Sequence, residues 1–203
     1  ARLYLGQVAE QRKRYDDAIQ WYSTVESAEM HFEAQARLGV VLARQGNVDQ
    51  ARAHLHNLVP KTEAQKVQLA LAEEQMLRDV KQNAEAFDVL TRVLGEFPDN
   101  ADLLYARALV AEKLNRIEVA EKDLRRILKK DPKNANALNA LGYTLADRTS
   151  RYIEALSFIE QALALKPDDP FIMDSMGWVQ YRLGHHDEAV RYLKAALEKP
   201  VQE

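Results

Sequence analysis

The stretch NANALNALGYTLADRTSRYIEALSFIEQALALKP, residues 134–167, reads as two helices joined by a short turn. Gly142 lies inside the first helix, and Ala155, Ile159 and Ala162 lie on the second. Their spacing of 0, +4 and +7 puts three side chains on one helical face. Pro167, twelve residues after Ala155, ends that helix because it lacks an N–H and its ring blocks the preceding turn. The following stretch, PFIMDSMGWVQYRLGHHDEAVRYLKAALEKP (170–200), repeats the pattern with Gly177, Ala189, Leu193, Ala196 and Pro200.

Working outward, the same alanine recurs as Ala18, Ala51, Ala86, Ala120, Ala155 and Ala189, at gaps of 33, 35, 34, 35 and 34. Four residues after each stands Tyr22, Leu55, Leu90, Leu124, Ile159 or Leu193, and seven after stands Val25, Leu58, Val93, Ile127, Ala162 or Ala196. Twelve to fourteen residues before each alanine is a small residue on the preceding helix: Gly6, Gly39, Ala72, Ala108, Gly142, Gly177. A small side chain there lets two helices approach closely. Pro98 and Pro132 stop the second helix of their units as Pro167 does, while Pro60 and Pro200 stop theirs slightly early. Gly46 and Gly184 fall in interhelical turns, Pro170 fits a first helical turn, and Gly95 has no assigned role. The third unit departs most, with Ala72 in place of glycine and a turn around Asp79 to Asn83 that reads as two residues longer. The fifth carries one extra residue in its turn.

Six helix-turn-helix units of about 34 residues, with a small residue on helix A, an alanine on helix B and a proline at the exit, resemble the tetratricopeptide repeat (TPR) family. The resemblance covers the whole chain. It implies an all-α fold, a right-handed α-solenoid of about six units at 1–29, 30–61, 62–99, 100–133, 134–168 and 169–203, read as one array. Each amphipathic pair buries its remaining apolar face on the next pair. Helix A then lines the concave side and helix B mostly faces outward. The first unit begins only five residues before Gly6, and the last helix carries Leu193, Ala196 and Leu197 with no polar cap behind it. The expectation is therefore a fragment of a longer array, with a second copy packed on the exposed end as the alternative.

Composition narrows the function. The 203 residues carry 28 Lys+Arg against 31 Asp+Glu, a net charge of -3, which argues against bulk nucleic-acid binding. With no cysteine, disulfides, thiol catalysis and cysteine-ligated metals are excluded. At 47% hydrophobic and 29% charged residues the chain is a folding one, and no apolar run approaches the roughly 20 residues of a membrane helix. His54 and His56 are two apart and point to different helical faces; His185 and His186 sit in a turn, and His31 stands alone. None has metal-ligand spacing. The serines (Ser23, Ser27, Ser150, Ser157, Ser175) lie in no nucleophile or phosphate-loop context. The reading is of a non-enzyme without cofactor or metal. The basic stretch Lys122, Arg125, Arg126, Lys129, Lys130, Lys133, interleaved with Glu118, Glu121, Asp123 and Asp131, reads as a solvated face with i,i+4 pairs or as a dock for an acidic partner.

In the repeat geometry that the resemblance implies, groove residues stand three before and one, four and five after the small residue of helix A. The fourth unit then contributes Tyr105, Leu109, Glu112 and Lys113; the fifth Asn139, Tyr143, Ala146 and Asp147; the sixth Asp174, Trp178, Tyr181 and Arg182. The candidate peptide-binding groove is Tyr105, Leu109, Asn139, Tyr143, Asp174, Trp178, Tyr181 and Arg182. Rings take apolar side chains and an amide can bond a peptide backbone; the competing reading is that these rings pack between repeats. The N-terminal positions (Gln7, Glu10, Gln11, Ala36, Val40, Arg44, Leu69, Glu73, Met76) are mixed and show no cluster. The lysines, asparagines and arginine with which some TPR proteins clamp a chaperone carboxylate are missing from Tyr105, Leu109, Tyr143, Asp174 and Trp178; only Asn139 matches.

A narrower resemblance lies in LNALGYTLADRTSRYIEALSFIEQALALKPDDPFIMDSMGWVQYRLGHHDEAVRYLKAAL (138–197), most particularly LADRTSRY. It is similar to the late repeats of bacterial outer-membrane TPR lipoproteins, especially the lipoprotein partner of a carboxyl-terminal processing protease in pseudomonads. This implies a periplasmic adaptor, anchored to the outer membrane through a lipid outside these residues, that joins a serine protease to its cell-wall hydrolase substrates. Alternatives are a cytosolic assembly or co-chaperone scaffold, and a regulatory arm of an enzyme encoded outside this sequence. The expected partners are other proteins or extended peptides, not nucleic acid.

Overall fold

The computed structural model describes residues 1–199, apart from the side chains of residues 28 and 29. Pro200, expected to stop the last helix, lies outside the described residues. Among them are twelve helices and no strand: α1 (Arg2–Gln11), α2 (Tyr15–Ser23), α3 (Ala28–Arg44), α4 (Val48–His56), α5 (Glu63–Asp79), α6 (Asn83–Glu96), α7 (Ala101–Lys113), α8 (Ile117–Lys130), α9 (Ala135–Arg148), α10 (Tyr152–Leu165), α11 (Pro170–Arg182) and α12 (His186–Glu198). They form two compact units, Ala1–Ala106 and Arg107–Glu203, divided inside α7. In the first, the hairpins α1–α2, α3–α4 and α5–α6 are joined by α3 packing on α2 and α5. In the second, α9–α10 and α11–α12 are hairpins, with α9 against α8 and α11 and α10 against α11.

The repeat alanines are buried: Ala18, Ala51, Ala86, Ala120 and Ala155 are 0% exposed and Ala189 is 3%. Opposite them the helix A glycines have no room for a side chain. A Cβ on Gly6 would stand 2.4 Å from the Tyr22 ring, on Gly39 2.5 Å from Leu55, on Gly142 2.5 Å from Ile159 and on Gly177 2.6 Å from Leu193. The two sequence series are thus the two sides of one helix crossing, repeated along the chain.

Five turns share one hydrogen-bonded stop. A left-handed residue sits five before the repeat alanine: Lys13 (φ 57), Gly46 (φ 101), Lys81 (φ 64), Asn115 (φ 58) and Gly184 (φ 84). The following N–H reaches back to the carbonyl five residues earlier, as in Arg14 N to Ala9 O (2.8 Å) and Gln82 N to Leu77 O (2.8 Å). This is the Schellman closure, which satisfies carbonyls left open at a helix end. The fifth turn is built differently. Its extra residue extends α9 to Arg148, and Thr149 stays extended (φ -138, ψ -179). The Thr149 hydroxyl donates to Leu145 O (2.6 Å) and accepts from Arg151 N (3.1 Å), replacing the left-handed residue with a side chain.

That common turn corrects the third unit. Val80–Lys81–Gln82 is three residues long, as are the other turns, so no extra residues lie there. Seven residues before Lys81, where the other Schellman hairpins place glycine or alanine, stands Glu74 and not Ala72. Glu74 is 4% exposed, with its carboxylate 2.9 Å from Arg78 Nε. The two residues of extra spacing counted from Ala72 are therefore a shift of register along α5.

The prolines act through their predecessors. Phe97, Asp131 and Lys166 have φ of -124, -128 and -136, outside the helical region, because a following proline crowds the α conformation. At Pro170, Asp169 caps α11 by accepting from Phe171 N (2.9 Å) and Ile172 N (3.3 Å).

The basic stretch on α8 is not uniformly solvated. Asp123 is 2% exposed and accepts both Arg107 Nε (2.7 Å) and Arg107 Nη2 (2.8 Å), tying α8 to α7. Burial without this bidentate partner would leave an uncompensated charge. At the surface, Arg125 bridges Glu121 (2.8 Å) and Glu154 (2.5 Å), while Arg151 bridges the same two carboxylates at 2.8 and 2.7 Å. The ring clamps α8 to the start of α10.

Two measurements check this account. Gly142→Val is expected to destabilise the second unit by about 1–3 kcal/mol through overpacking against Ile159, whereas Gly95→Ala, where a Cβ meets nothing within 4 Å, stabilises by up to about 1 kcal/mol; urea unfolding reads both signs. The second concerns pH. Hydrogen bonds from Arg151 hold the Glu121 carboxyl below its usual range, and those from Arg125 do the same for Glu154. A depressed folded pKa contributes stability above the unfolded value of about 4.3, and that stability disappears as pH falls through the folded value. Glu121→Gln with Glu154→Gln should flatten the drop in urea midpoint between about pH 5 and pH 3.

Candidate functional site

The two units each present a distinct set of helix A side chains. In the second unit, Asn139, Tyr143 and Asp147 form an i,i+4 row on α9, and Asp174, Trp178 and Arg182 form a row on α11 with Tyr181 beside it. Trp178 stacks on Tyr181 with centroids 5.6 Å apart and an interplanar angle of 26°. Arg182 lies over the rings of Tyr152 (4.8 Å) and Trp178 (5.6 Å), donates to Tyr152 Oη (2.6 Å) and reaches Asp147 O on α9 (3.3 Å). Arg182 therefore fixes α11 against both helices of the preceding hairpin. The outer ring, Tyr181, is 52% exposed.

Tyr143 is half-buried among charges. Burial first, then the carboxylates of Asp147, Glu112 and Asp174, push its phenol ionisation up, with Arg148 opposing. Arg148 itself pairs with Glu112 (3.0 Å) and Asp147 (2.9 Å). Asn139 Oδ1 and Trp178 Nε1 are shut off from solvent with no hydrogen-bond partner among the described residues. One is an acceptor and the other a donor, and leaving either unmade costs about 1–3 kcal/mol.

Of the eight groove residues expected from sequence, seven belong to this unit. Asn139, Tyr143, Trp178 and Arg182 are half-buried, Asp174 and Tyr181 exposed, and Leu109 on α7 half-buried. Tyr105 belongs to the first unit, where it is half-buried and engaged. Ala146, also at a groove position, is 0% exposed and part of the core. Glu112 and Arg148 complete the surroundings of Tyr143; Arg148 was hidden from the repeat arithmetic by the longer α9.

The first unit holds a cluster that its mixed sequence did not suggest. Glu10 accepts from Tyr22 Oη (2.6 Å) and Arg44 Nη1 (2.7 Å), with Arg37 Nη1 at 3.5 Å. Arg44 also donates to Asp79 (2.7 Å), so α1, α3 and α5 are laced through one carboxylate and one guanidinium. Burial and Glu10 raise the Tyr22 phenol above its ordinary range, so it stays a donor. Beside this network is a concavity lined by Ala36, Val40, Leu71 and Ala72 together with Gln68 and Gln75. Leu71 and Gln75 stand three before and one after Glu74, which are groove positions in the corrected register. Leu69 and Glu73, assigned to the groove from Ala72, face the helix B side instead, with Glu73 Oε2 3.8 Å from Arg92 on α6 and Oε1 3.3 Å from His56 on α4. Met76 is 1% exposed and structural. Among the described residues no three His, Cys, Asp or Glu converge to hold a metal, and no helix is long and apolar enough to cross a membrane.

Comparison with known proteins agrees with this architecture. Two tetratricopeptide repeat family models match, one at residues 1–30 and 105–170 and the other at 173–200. The TPR repeat-containing protein PA4667 of Pseudomonas aeruginosa is 42% identical over 199 residues, covering 98% of this chain, and this chain spans 34% of its length. The bacteriophage adsorption protein A of Escherichia coli is 29% identical over 113 residues, covering 56% of this chain and 11% of its own length. Among solved structures, a tetratricopeptide repeat protein of Parabacteroides merdae superposes with a TM-score of 0.71 at 16% identity, covering 98% of this chain and 79% of that one. MamA of Desulfovibrio magneticus gives 0.64 at 18%, covering 82% and 93%. At these identities the structural likeness speaks for the fold alone. The two family models together span more than half of the sequence, their matches fall on hairpins built around the glycine and alanine crossing, and the chain belongs to the tetratricopeptide repeat family.

Proposed function

We propose that this chain is a non-catalytic scaffold that binds extended segments of partner proteins on the α9–α11 surface, and that it serves as a periplasmic adaptor bringing a carboxyl-terminal processing protease and its protein substrates together. The observation that carries the binding reading is the aromatic surface of Tyr143, Trp178 and Tyr181, with Trp178 stacked on a Tyr181 ring that is 52% exposed. Burying one ring is worth about 1.5–3 kcal/mol, so two or three such anchors support micromolar affinity. The adaptor reading is supported by the likeness of residues 138–197 to outer-membrane lipoproteins, and by a 42% identical TPR relative in a pseudomonad. The name of the second relative, a bacteriophage adsorption protein, favours the cell envelope over the cytosol. On this reading the full protein is tethered to the outer membrane by a lipid outside these residues. Because the Pseudomonas relative is about three times longer than this chain, a regulatory arm of a larger enzyme is the second reading.

The test is capture from periplasmic extract. Tyr143→Ala with Trp178→Ala should weaken recovery of the protease and its substrates by about ten-fold or more, with helical circular dichroism unchanged and Ile153→Ala, at a 73% exposed site on α10, as the neutral control. Undiminished recovery would place binding elsewhere; failure of the unchanged chain to recover a carboxyl-terminal processing protease would remove the adaptor reading.

A further inference from the structure

The α9–α11 surface has one charge left over, and its position says what the bound segment carries. Each guanidinium around it is committed. Arg148 is held by Glu112 and Asp147 at 3.0 and 2.9 Å, and Arg182 by Tyr152 Oη and Asp147 O while it covers the Trp178 ring. The carboxylates outnumber the cation at Tyr143, where Asp147, Glu112 and Asp174 act against Arg148. Asp174 alone of the three forms no hydrogen bond or ion pair among the described residues, and its side chain is exposed. It stands one helical turn from Trp178 and two from Tyr181, so carboxylate and aromatic stack share one face of α11.

We infer that this surface selects a segment with a lysine or arginine whose ammonium or guanidinium pairs with Asp174 and whose alkyl stem lies along the Trp178–Tyr181 stack. A cation is attracted to the carboxylate, and its methylenes cover the exposed edge of Tyr181, whose ring has Trp178 and His186 as neighbours, each with centroids 5.6 Å away. An acidic side chain meets unpaired like charge, and an apolar one of the same length leaves Asp174 without its partner. Arg182 already occupies Trp178 in this way, which shows that the indole accepts a guanidinium. The inference rests on the peptide-binding reading of the same surface and adds the charge of the ligand.

The experiment is selection of a random dodecapeptide display library on the 203-residue chain, on Asp174→Asn, and on Tyr143→Ala with Trp178→Ala. Binders to the unchanged chain should be enriched in Lys or Arg. A selected peptide should lose about ten-fold in affinity on Lys→norleucine exchange and bind more weakly as salt rises from 50 to 500 mM. Asp174→Asn should retain binders while losing both the basic enrichment and the salt dependence. Binders without basic residues, or an enrichment that survives Asp174→Asn, overturn the inference and leave the peptide-binding reading intact. Binding by the unchanged chain that also persists in the Tyr143→Ala, Trp178→Ala variant, or no binders at all, overturns both.

Discussion

Everything in this molecule depends on how closely two helices can cross. At Gly6, Gly39, Gly142 and Gly177 the backbone of helix A lies so near the Tyr22, Leu55, Ile159 or Leu193 side chain that a Cβ would stand 2.4 to 2.6 Å away. A ring or branched side chain packed directly on backbone excludes water and leaves the repeat alanine no more than 3% exposed. That close crossing fixes the hairpin, and a fixed hairpin presents the outer face of helix A in a predictable register. Remove the crossing and the rows that form the candidate site lose their alignment.

The third unit shows what happens when the small residue is absent. Glu74 takes the position, stays buried and pairs with Arg78. The α5–α6 hairpin keeps its core through Ala86 and Leu90, both 0% exposed. Around it the first unit is tied together by charge: Glu10, Arg44 and Asp79 link α1, α3 and α5. Such a network contributes orientation more than stability, since desolvating each group offsets much of the attraction. The result is a polar concavity whose charges are largely satisfied internally, beside glutamine amides that remain open.

The second unit has ion pairs of its own and adds an aromatic surface. Its rings are held by a single arginine, Arg182, which touches α9, α10 and Trp178. This explains how Trp178 and Tyr181 can be both structural and available: the indole is packed on one side while the phenol stacked on it is half exposed. A rigid aromatic pair loses little conformational entropy on binding, which favours recognition by such groups.

Sequence alone determined the helical pairs, their order and their core, because the 0, +4, +7 spacing and the glycine–alanine pairing are local consequences of helical geometry repeated six times. It also determined which side chains of α9 and α11 share a face, since their register follows from Gly142 and Gly177. The tertiary structure decided what spacing could not encode. The register of α5 was set by the Schellman turn at Lys81, so Leu71 and Gln75, not Leu69 and Glu73, reach the concavity. Asp123, one carboxylate in a charged run, is buried because Arg107 on the preceding helix meets it with two hydrogen bonds. Ion pairs, orphaned polar atoms and the availability of Asp174 depend on side chains about thirty residues apart in sequence. Whether such groups meet is decided by how neighbouring hairpins pack, and a single-sequence period carries no record of that.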